Sequence, residues 1–573
     1  MQESSICTDL LRVKKFHGNY FVEKSNKKEH TKLSYWQFFY NDKWSLRLEY
    51  LKSLNTPKTS NPVSMNKADT PITIGYGCQL TIASSQALAH HSSPVALPPK
   101  AMEAIEASYQ FLKVHVDSRV PIYGVNTNFG DQVRYIDTTL KDTDVSDYYD
   151  SINERQENIL RSLSCGLGTI VPPHIVRVAM MLRAHCLAQG YSGVHPELIN
   201  SLLDFLNAGI TPVVRCYGSI GASGDLIPLS MIAAALIGEP VAVTYQDRVM
   251  LAPEAIQLAG LKAYKPVMRD GLALINGTSF MTAIASLAVY DLHHLFKQML
   301  AAVAMTLESL LVISSAYHPM VHQLKKQKGE MTINQFFIDF WEGSQLLIDL
   351  DELRATDYTY KPVQDYYSIR SVPQGFGPFH ENLERAICWI ENEMNSVNDN
   401  PVIDVAASNI HHSANFMGFY ITDACDILKM DIAQASTWMH ALLANLVHPR
   451  KNHDLPVNLV PNPSKHNGFR SMQLLAAALT VQNRKLAQSH QAFTLPTEGD
   501  NQDVNSLGTH AAFDFQESVA NLERLTAILL LAATQALELR GIEKASKKAQ
   551  SIYHAVRQYS PKIENCRPNV RRN

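Results

Sequence analysis

Five stretches of this chain read as helices too long and too apolar to lie at a surface. Residues 279–314, 380–395, 418–446, 468–488 and 517–539 carry apolar side chains on most faces and are sparing of Gly and Pro. Several exceed twenty residues, which fits the interior of a bundle or its contacts with other subunits. The spacing therefore predicts a mostly α, oligomeric protein. Residues 525–539, among the greasiest, are too short and interrupted to span a bilayer.

The remaining sequence narrows the function classes. Lys+Arg 51 against Asp+Glu 54 leaves a formal charge of -3, so no basic field recruits nucleic acid. Hydrophobic content of 46% with 18% charged residues excludes a disordered or fibrous chain. Residues 1–20 have charges but no apolar core, so a secretory signal is not expected and a cytoplasmic location is. Residues 1–70 differ in texture from the rest. They hold an aromatic cluster (Tyr35, Trp36, Phe38, Phe39, Tyr40), expected to dock on the main body, and then a polar linker over 55–69. The expected division is an extension of unassigned role over 1–70, a catalytic portion over 71–280, the long-helix bundle over 281–545 and a tail over 546–573. A strand-like piece over 72–80 leads into a helix through Ala89.

No metal centre is expected. The eight cysteines (Cys7, Cys78, Cys165, Cys186, Cys216, Cys388, Cys425, Cys566) are scattered, with no C-x-x-C pair. His318 and His322 stand four apart, but Pro319 follows His318 where H-E-x-x-H requires Glu. A structural role suits both better.

Between the helices lie loops rich in Gly, Asn and Tyr. Residues 217–225 read Tyr-Gly-Ser-Ile-Gly-Ala-Ser-Gly-Asp, followed by a helical run over 226–237 that Ser223 or Asp225 could cap. The glycine spacing is not G-x-G-x-x-G, and Asp225 stands where a nucleophile elbow needs Gly. Within Ala222-Ser223-Gly224 two side chains are minimal, so the Gly224 amide nitrogen can approach the Ala222 carbonyl carbon. Ring closure there, with loss of water from Ser223, makes a backbone-derived electrophile at a helix N-terminus, where the helix dipole favours developing negative charge.

This segment resembles the aromatic amino acid ammonia-lyases and aminomutases, which make a 4-methylideneimidazole-5-one (MIO) group from Ala-Ser-Gly. Further motifs follow in the same order. Residues 123–130 (Tyr-Gly-Val-Asn-Thr-Asn-Phe-Gly) are similar to that family's inner loop, and 271–278 to the segment holding its active-site asparagine. Residues 364–370 resemble Q-D-x-Y-S-x-R, and 395–401, 415–416 and 501–508 complete the set, so the likeness covers roughly 72–560. It implies a mostly α fold, with a long central helix bundle of the ammonia-lyase (fumarase/aspartase-like) type and a smaller, loop-rich N-terminal catalytic portion. It also implies a homotetramer with sites built from more than one chain, an aromatic amino acid as small-molecule partner, no external cofactor, and no nucleic-acid or membrane partner.

By that resemblance each site residue receives a role. Tyr123 removes the β-proton, which requires nearby positive potential to lower its pKa from about 10. Ala222, Ser223 and Gly224 form the MIO ring. Arg370 clamps the substrate carboxylate, while Asn276, Gln364 and Tyr367 hold ring and substrate. Glu498 faces the amine, Phe416 packs near the ring, and Gln502 completes the binding set. Counting along 156–166 places the pair that meets the distal ring at Ser162 and Leu163. Leu163 offers no donor to an imidazole or phenol, so phenylalanine or a related aryl amino acid is the expected substrate. A 2,3-aminomutase, a histidine or tyrosine ammonia-lyase and a silent helical scaffold are the rivals. Two loop departures stand out: Asn128 replaces a usual glycine, where Asn tolerates left-handed backbone angles so that the turn can survive, and Asp454 stands where glycine is common before Leu-Pro.

Overall fold

The computed structural model describes residues 14–16, 19–21, 71–91, 93–134, 143–349 and 363–565. The aromatic cluster over 35–40 and the linker over 55–69 lie outside the described residues. In the first of two compact units (1–55 with 567–573), Lys14–Phe16 pairs antiparallel with Asn19–Phe21. The second unit, 56–566, carries everything that follows.

The long helices are Ser279–Ser309, Val372–Met394, Phe419–Val447, Arg470–Leu486 and Gly508–Arg540. Three of them run parallel. At one end Met281 packs on Gly418 and Gly508, where an added methyl group would overlap its sulfur. At the other, the Arg540 guanidinium donates to the carbonyls of Ser309 (3.1 Å) and Asn452 (2.5 Å). At 1.5 Å per residue, roughly 45–50 Å separates these ends. Arg470–Leu486 runs back along Phe419–Val447, since Lys429 meets Gln488 and Ser436 meets Thr480. Val372–Met394 is also reversed, because Asn398, just past its end, reaches Thr278 at the start of Ser279–Ser309.

Residues 279–289 are all buried, so this helix is apolar all round and central. Val372–Met394 instead buries one stripe, with Phe376, Phe379, Leu383, Ala386, Ile390 and Met394. Each large member contributes about 1.5–3 kcal/mol by leaving water. Around the parallel end lie the shorter elements: the helices Val145–Leu163, Leu226–Leu236 and Asp270–Ile275, and small sheets such as Leu167–Ile170 with Arg215–Tyr217. The strand expected over 72–80 is only Ile72–Thr73, paired parallel with Val95–Ala96. Gly75 (φ +94°) and Gly77 (φ +80°) turn the chain out of extended conformation there. Among the described residues no helix is long and apolar enough to cross a membrane. The six described cysteines are free thiols. His322 is buried against Glu330 (2.7 Å), and His318 accepts the Met320 N–H at a helix start, so both act structurally.

Candidate active site

The Ala222-Ser223-Gly224 tripeptide lies where four helix N-termini gather: Leu226–Leu236, Ser279–Ser309, Phe419–Val447 and Gly508–Arg540. Gly224 (φ +70°) bridges to Gly277, with Asp225 N donating to Gly277 O at 2.8 Å, and an added Cβ at 224 would overlap the Gly277 backbone. Only glycine suits that position. The loop is held from the far end of the chain: Ser506 N donates to Gly221 O (3.2 Å) and Leu507 N to Ile220 O (2.9 Å). Gln502 Nε2 donates to the Ser223 hydroxyl oxygen at 3.0 Å, and Asn276 Nδ2 to the Ser223 carbonyl at 3.4 Å. The Asn276 Oδ1 atom is buried without a partner.

Asp225 corrects a local expectation. It sits ahead of Leu226–Leu236 but makes no capping bond to that helix. Its fully buried carboxylate instead accepts the amides of Phe280 (3.1 Å) and Met281 (2.8 Å), plus the hydroxyls of Ser219 (2.7 Å) and Thr509 (2.5 Å). Thus it caps Ser279–Ser309 and ties in Gly508–Arg540. Burial pushes its pKa up, and these four donors pull against that rise.

Tyr123 lies on the inner loop. Three consecutive amides are each met by a side chain: Ile122 N by Asn126 Oδ1 (2.7 Å), Tyr123 N by His412 Nε2 (3.3 Å) and Gly124 N by Thr127 Oγ1 (3.2 Å). The Tyr123 hydroxyl oxygen accepts Gly130 N at 2.9 Å. Glu498 stands against Gly130, where an added Cβ would strike its carboxylate. In the single chain the Tyr123 pKa is raised, chiefly by burial, with Glu498 adding to the rise and the Gly130 bond opposing it. The expected positive potential is therefore not supplied by these neighbours. Burial and Asp131 raise Glu498 in turn. Asn128 has no left-handed backbone to tolerate; Gly124 (φ +68°) and Gly130 (φ +55°) make the turns, so the substitution asks nothing unusual of Asn. Asp454, by contrast, is left-handed at φ +66°.

Glu498 and Gln502 share one tight turn, closed by Thr497 N to Gln502 O (3.0 Å). Three successive residues there, Glu498, Gly499 and Asp500, have φ of 50°, 59° and 64°. Left-handed non-glycine residues cost on the order of 1 kcal/mol or more each and persist only where surrounding structure enforces them.

Three supports stand behind these residues. Gln156, fully buried, donates to Gly124 O (3.1 Å) and accepts Leu272 N (3.0 Å), joining the inner loop to the helix before Asn276. Arg269 grips Asp399 through two bonds (2.9 and 2.8 Å), with Arg183 3.6 Å from the same carboxylate, all buried. Asn398 Oδ1 accepts Thr278 N at 3.2 Å, so the 395–401 motif fastens the Asn276 loop. The sequence marks that motif only by the family likeness, and nothing local marks Gln156 or Arg269.

One chain brings together Tyr123, Ala222, Ser223, Gly224, Asn276, Glu498 and Gln502. Ser162 and Leu163 end the Val145–Leu163 helix beside this cluster, where Gly166 backs on Met231 and Tyr217. The exposed Ser162 hydroxyl bonds its own helix at Ile159 O, and Leu163 is half-buried. Phe416, half-buried, sits two residues before Gly418 at the same end. Gln364, Tyr367 and Arg370 are not part of the cluster. Arg370 bonds Gln364 and lies over the exposed Tyr367 ring (4.7 Å). Their segment is fixed by Trp438 and Asn445 to Ser368, whereas Thr422 of that same helix bonds Ser506 beside the tripeptide. From 422 to 438–445 along a helix is roughly 24–35 Å.

Residues 80–558 match the family model described as aromatic amino acid lyase. This chain belongs to that family. The chain is 34% identical over 487 residues to the histidine ammonia-lyase of Geobacillus thermodenitrificans, covering 85% of this chain and 93% of that one. Its fold is similar to that of Pantoea agglomerans phenylalanine aminomutase (TM-score 0.81, 27% identity, 87% of this chain and 96% of that one). Trypanosoma cruzi histidine ammonia-lyase is likewise similar (TM-score 0.77, 26% identity, 86% and 90%).

Proposed function

We propose that this lyase eliminates ammonia from an aromatic L-amino acid, with phenylalanine or a related aryl amino acid as substrate, using an MIO group formed from Ala222-Ser223-Gly224. The observation that carries the reading is the treatment of Ser223: Gln502 holds the hydroxyl that leaves as water, and Asn276 holds the carbonyl that becomes the ring oxygen. Unpartnered Asn276 Oδ1 and the glycine-only cradle at 224 suit such a ring. Once formed, the ring supplies an electrophilic methylene to the substrate. The four helix N-termini favour negative charge at that point. Tyr123 takes the β-proton onto its hydroxyl oxygen, and the carbon–nitrogen bond breaks to leave a trans-arylacrylate and ammonia.

The carboxylate clamp, Arg370 with Gln364 and Tyr367, is anchored too far along the Phe419–Val447 helix to serve its own tripeptide. A homotetramer in which neighbouring copies complete each site resolves this, and Arg370 from another copy supplies the positive potential Tyr123 needs. Leu163 favours an apolar ring. Histidine is a second reading, supported by the names of the relatives in sequence.

Incubation with Phe, Tyr and His separately, followed by ultraviolet absorbance and amino acid analysis, tests the reading. Turnover of Phe to an absorbing acrylate supports it; a β-amino acid product makes the protein an aminomutase, and a preference for His overturns the pocket assignment. The intact mass should fall about 36 Da below the sequence mass, for two waters lost. An active enzyme of full mass refutes the MIO group.

A further inference from the structure

We propose that His412 is a positioning residue for Tyr123, and that its neutral ring holds the inner loop in working register. The inference rests on the reading of Tyr123 as the base.

The amides of residues 122, 123 and 124 each need an acceptor, because the loop turns through Gly124 and offers them no ladder. Asn126 and Thr127 are acceptors from within the loop itself. His412 comes from 289 residues away, at the end of the hairpin Val402–Asp404 with Asn409–His411. Tyr148 and Gln156 of the Val145–Leu163 helix also bond Asn126 and Gly124 O, but His412 is the tie that grips the residue whose side chain does the chemistry. Its own place is fixed from the next residue, since Ser413 N donates to Asn400 Oδ1 at 2.7 Å beside the buried Arg269–Asp399 pair. Phe416 follows four residues on, so one short segment reaches both the base loop and the tripeptide end of the bundle.

His412 is also the one titratable acceptor of the three. To accept the Tyr123 N–H, Nε2 must carry a lone pair, so the ring is neutral with its proton on Nδ1. His412 is an exposed residue, yet partial desolvation of its ring against the protein lowers its pKa, and Arg269 lowers it further, both favouring that form. Arg269 is matched by Asp399, while neighbouring His411 faces Asp404 at 3.6 Å. The bond is therefore intact above the ordinary histidine pKa and is lost as pH falls through the lower folded value. Protonation then sets an N–H donor against the Tyr123 N–H donor and releases the loop at Tyr123, while Asn126 and Gly124 keep their bonds to the Val145–Leu163 helix.

Three variants decide it, read as kcat, KM and the pH dependence of kcat/KM with whichever aromatic amino acid the enzyme turns over. In His412→Gln the side-chain oxygen reaches the Nε2 position and accepts at every pH. It should keep kcat within about threefold at pH 8 and lose the histidine part of the acid limb, whereas His412→Leu should lower kcat about 3–10-fold with KM little changed. Should the Leu variant not fold, the Gln profile still decides. A Gln variant with the wild-type acid limb, or one as impaired as Leu, overturns the proposal. Tyr123→Phe serves as the control. If it keeps near-normal rates, the base assignment itself fails; if it is inactive while both His412 variants match wild type, only the present inference fails.

Discussion

Replacing Asp225 separates two ways of filling one buried position. Its carboxylate serves two amides through Oδ2 and two hydroxyls through Oδ1. In Asp225→Asn the amide oxygen can face Phe280 and Met281, while the new NH2 donates to Ser219 and Thr509. Hydroxyls rotate to accept, so all four contacts survive and only their charge-assisted strength is lost, about 1–2 kcal/mol in total. In Asp225→Ala two buried amides at the start of Ser279–Ser309 have no acceptor. Each unsatisfied donor costs about 1–3 kcal/mol, so the Ala variant should lose about 2–6 kcal/mol. Urea unfolding at fixed protein concentration, with midpoint and slope both recorded, gives the two values. Intact mass on the same samples reports whether the tripeptide still loses water. If Asn and Ala are equally stable within about 0.5 kcal/mol, the capping account of Asp225 is wrong.

Glu498→Gln removes a negative charge that raises the Tyr123 pKa, so the rising limb of kcat/KM assigned to the phenolate should move towards lower pH; an unmoved limb disconnects the two residues. Leu163→His adds a donor at the pocket, and steady-state kinetics should show relative preference moving towards tyrosine or histidine by roughly 10–100-fold; unchanged ratios place the ring elsewhere. Asp399→Asn strips the partner from buried Arg269 and Arg183, so stability should fall by about 3–5 kcal/mol in denaturant titration. In wild type the Asp399 pKa is held low chiefly by Arg269 and then Arg183, against burial. Its contribution is thus complete above the unfolded carboxylate pKa and is lost only as pH falls through the lower folded value.

The long helices were legible because their apolar pattern persists over many turns, but two of their starts were not. Val372–Met394 begins eight residues before the expected 380, across Pro373, Gly375, Gly377 and Pro378. Propensity argues against a helix there, yet Gly375 gives room to the Trp438 ring and Gly377 to the Gly329–Glu330 backbone. Gly508–Arg540 begins nine residues before 517, because Thr509 and Phe515 are buried by neighbours that lie far away in sequence. The tripeptide and inner loop could be found from their own residues and from family likeness. Asp225 could not, since a capping rule reads only the helix that follows in sequence, and this carboxylate serves one that begins fifty-four residues later. His412 and Gln156 had no local signature at all.

The long sequence separation between Ser223 and its partner has a consequence for synthesis in the cell. Gln502 follows Ser223 by 279 residues, and Thr509 follows Asp225 by 284. At about 5–20 residues per second, a ribosome needs roughly 15–55 s to travel from one to the other. During that interval the nascent tripeptide has neither the contact on its hydroxyl nor the complete cap beneath it. An electrophile made there too early would be exposed to every nucleophile in the cell. A ring whose closure required this clamp, translated last, would form only once the bundle is whole, and its presence would then mark the chains that finished folding.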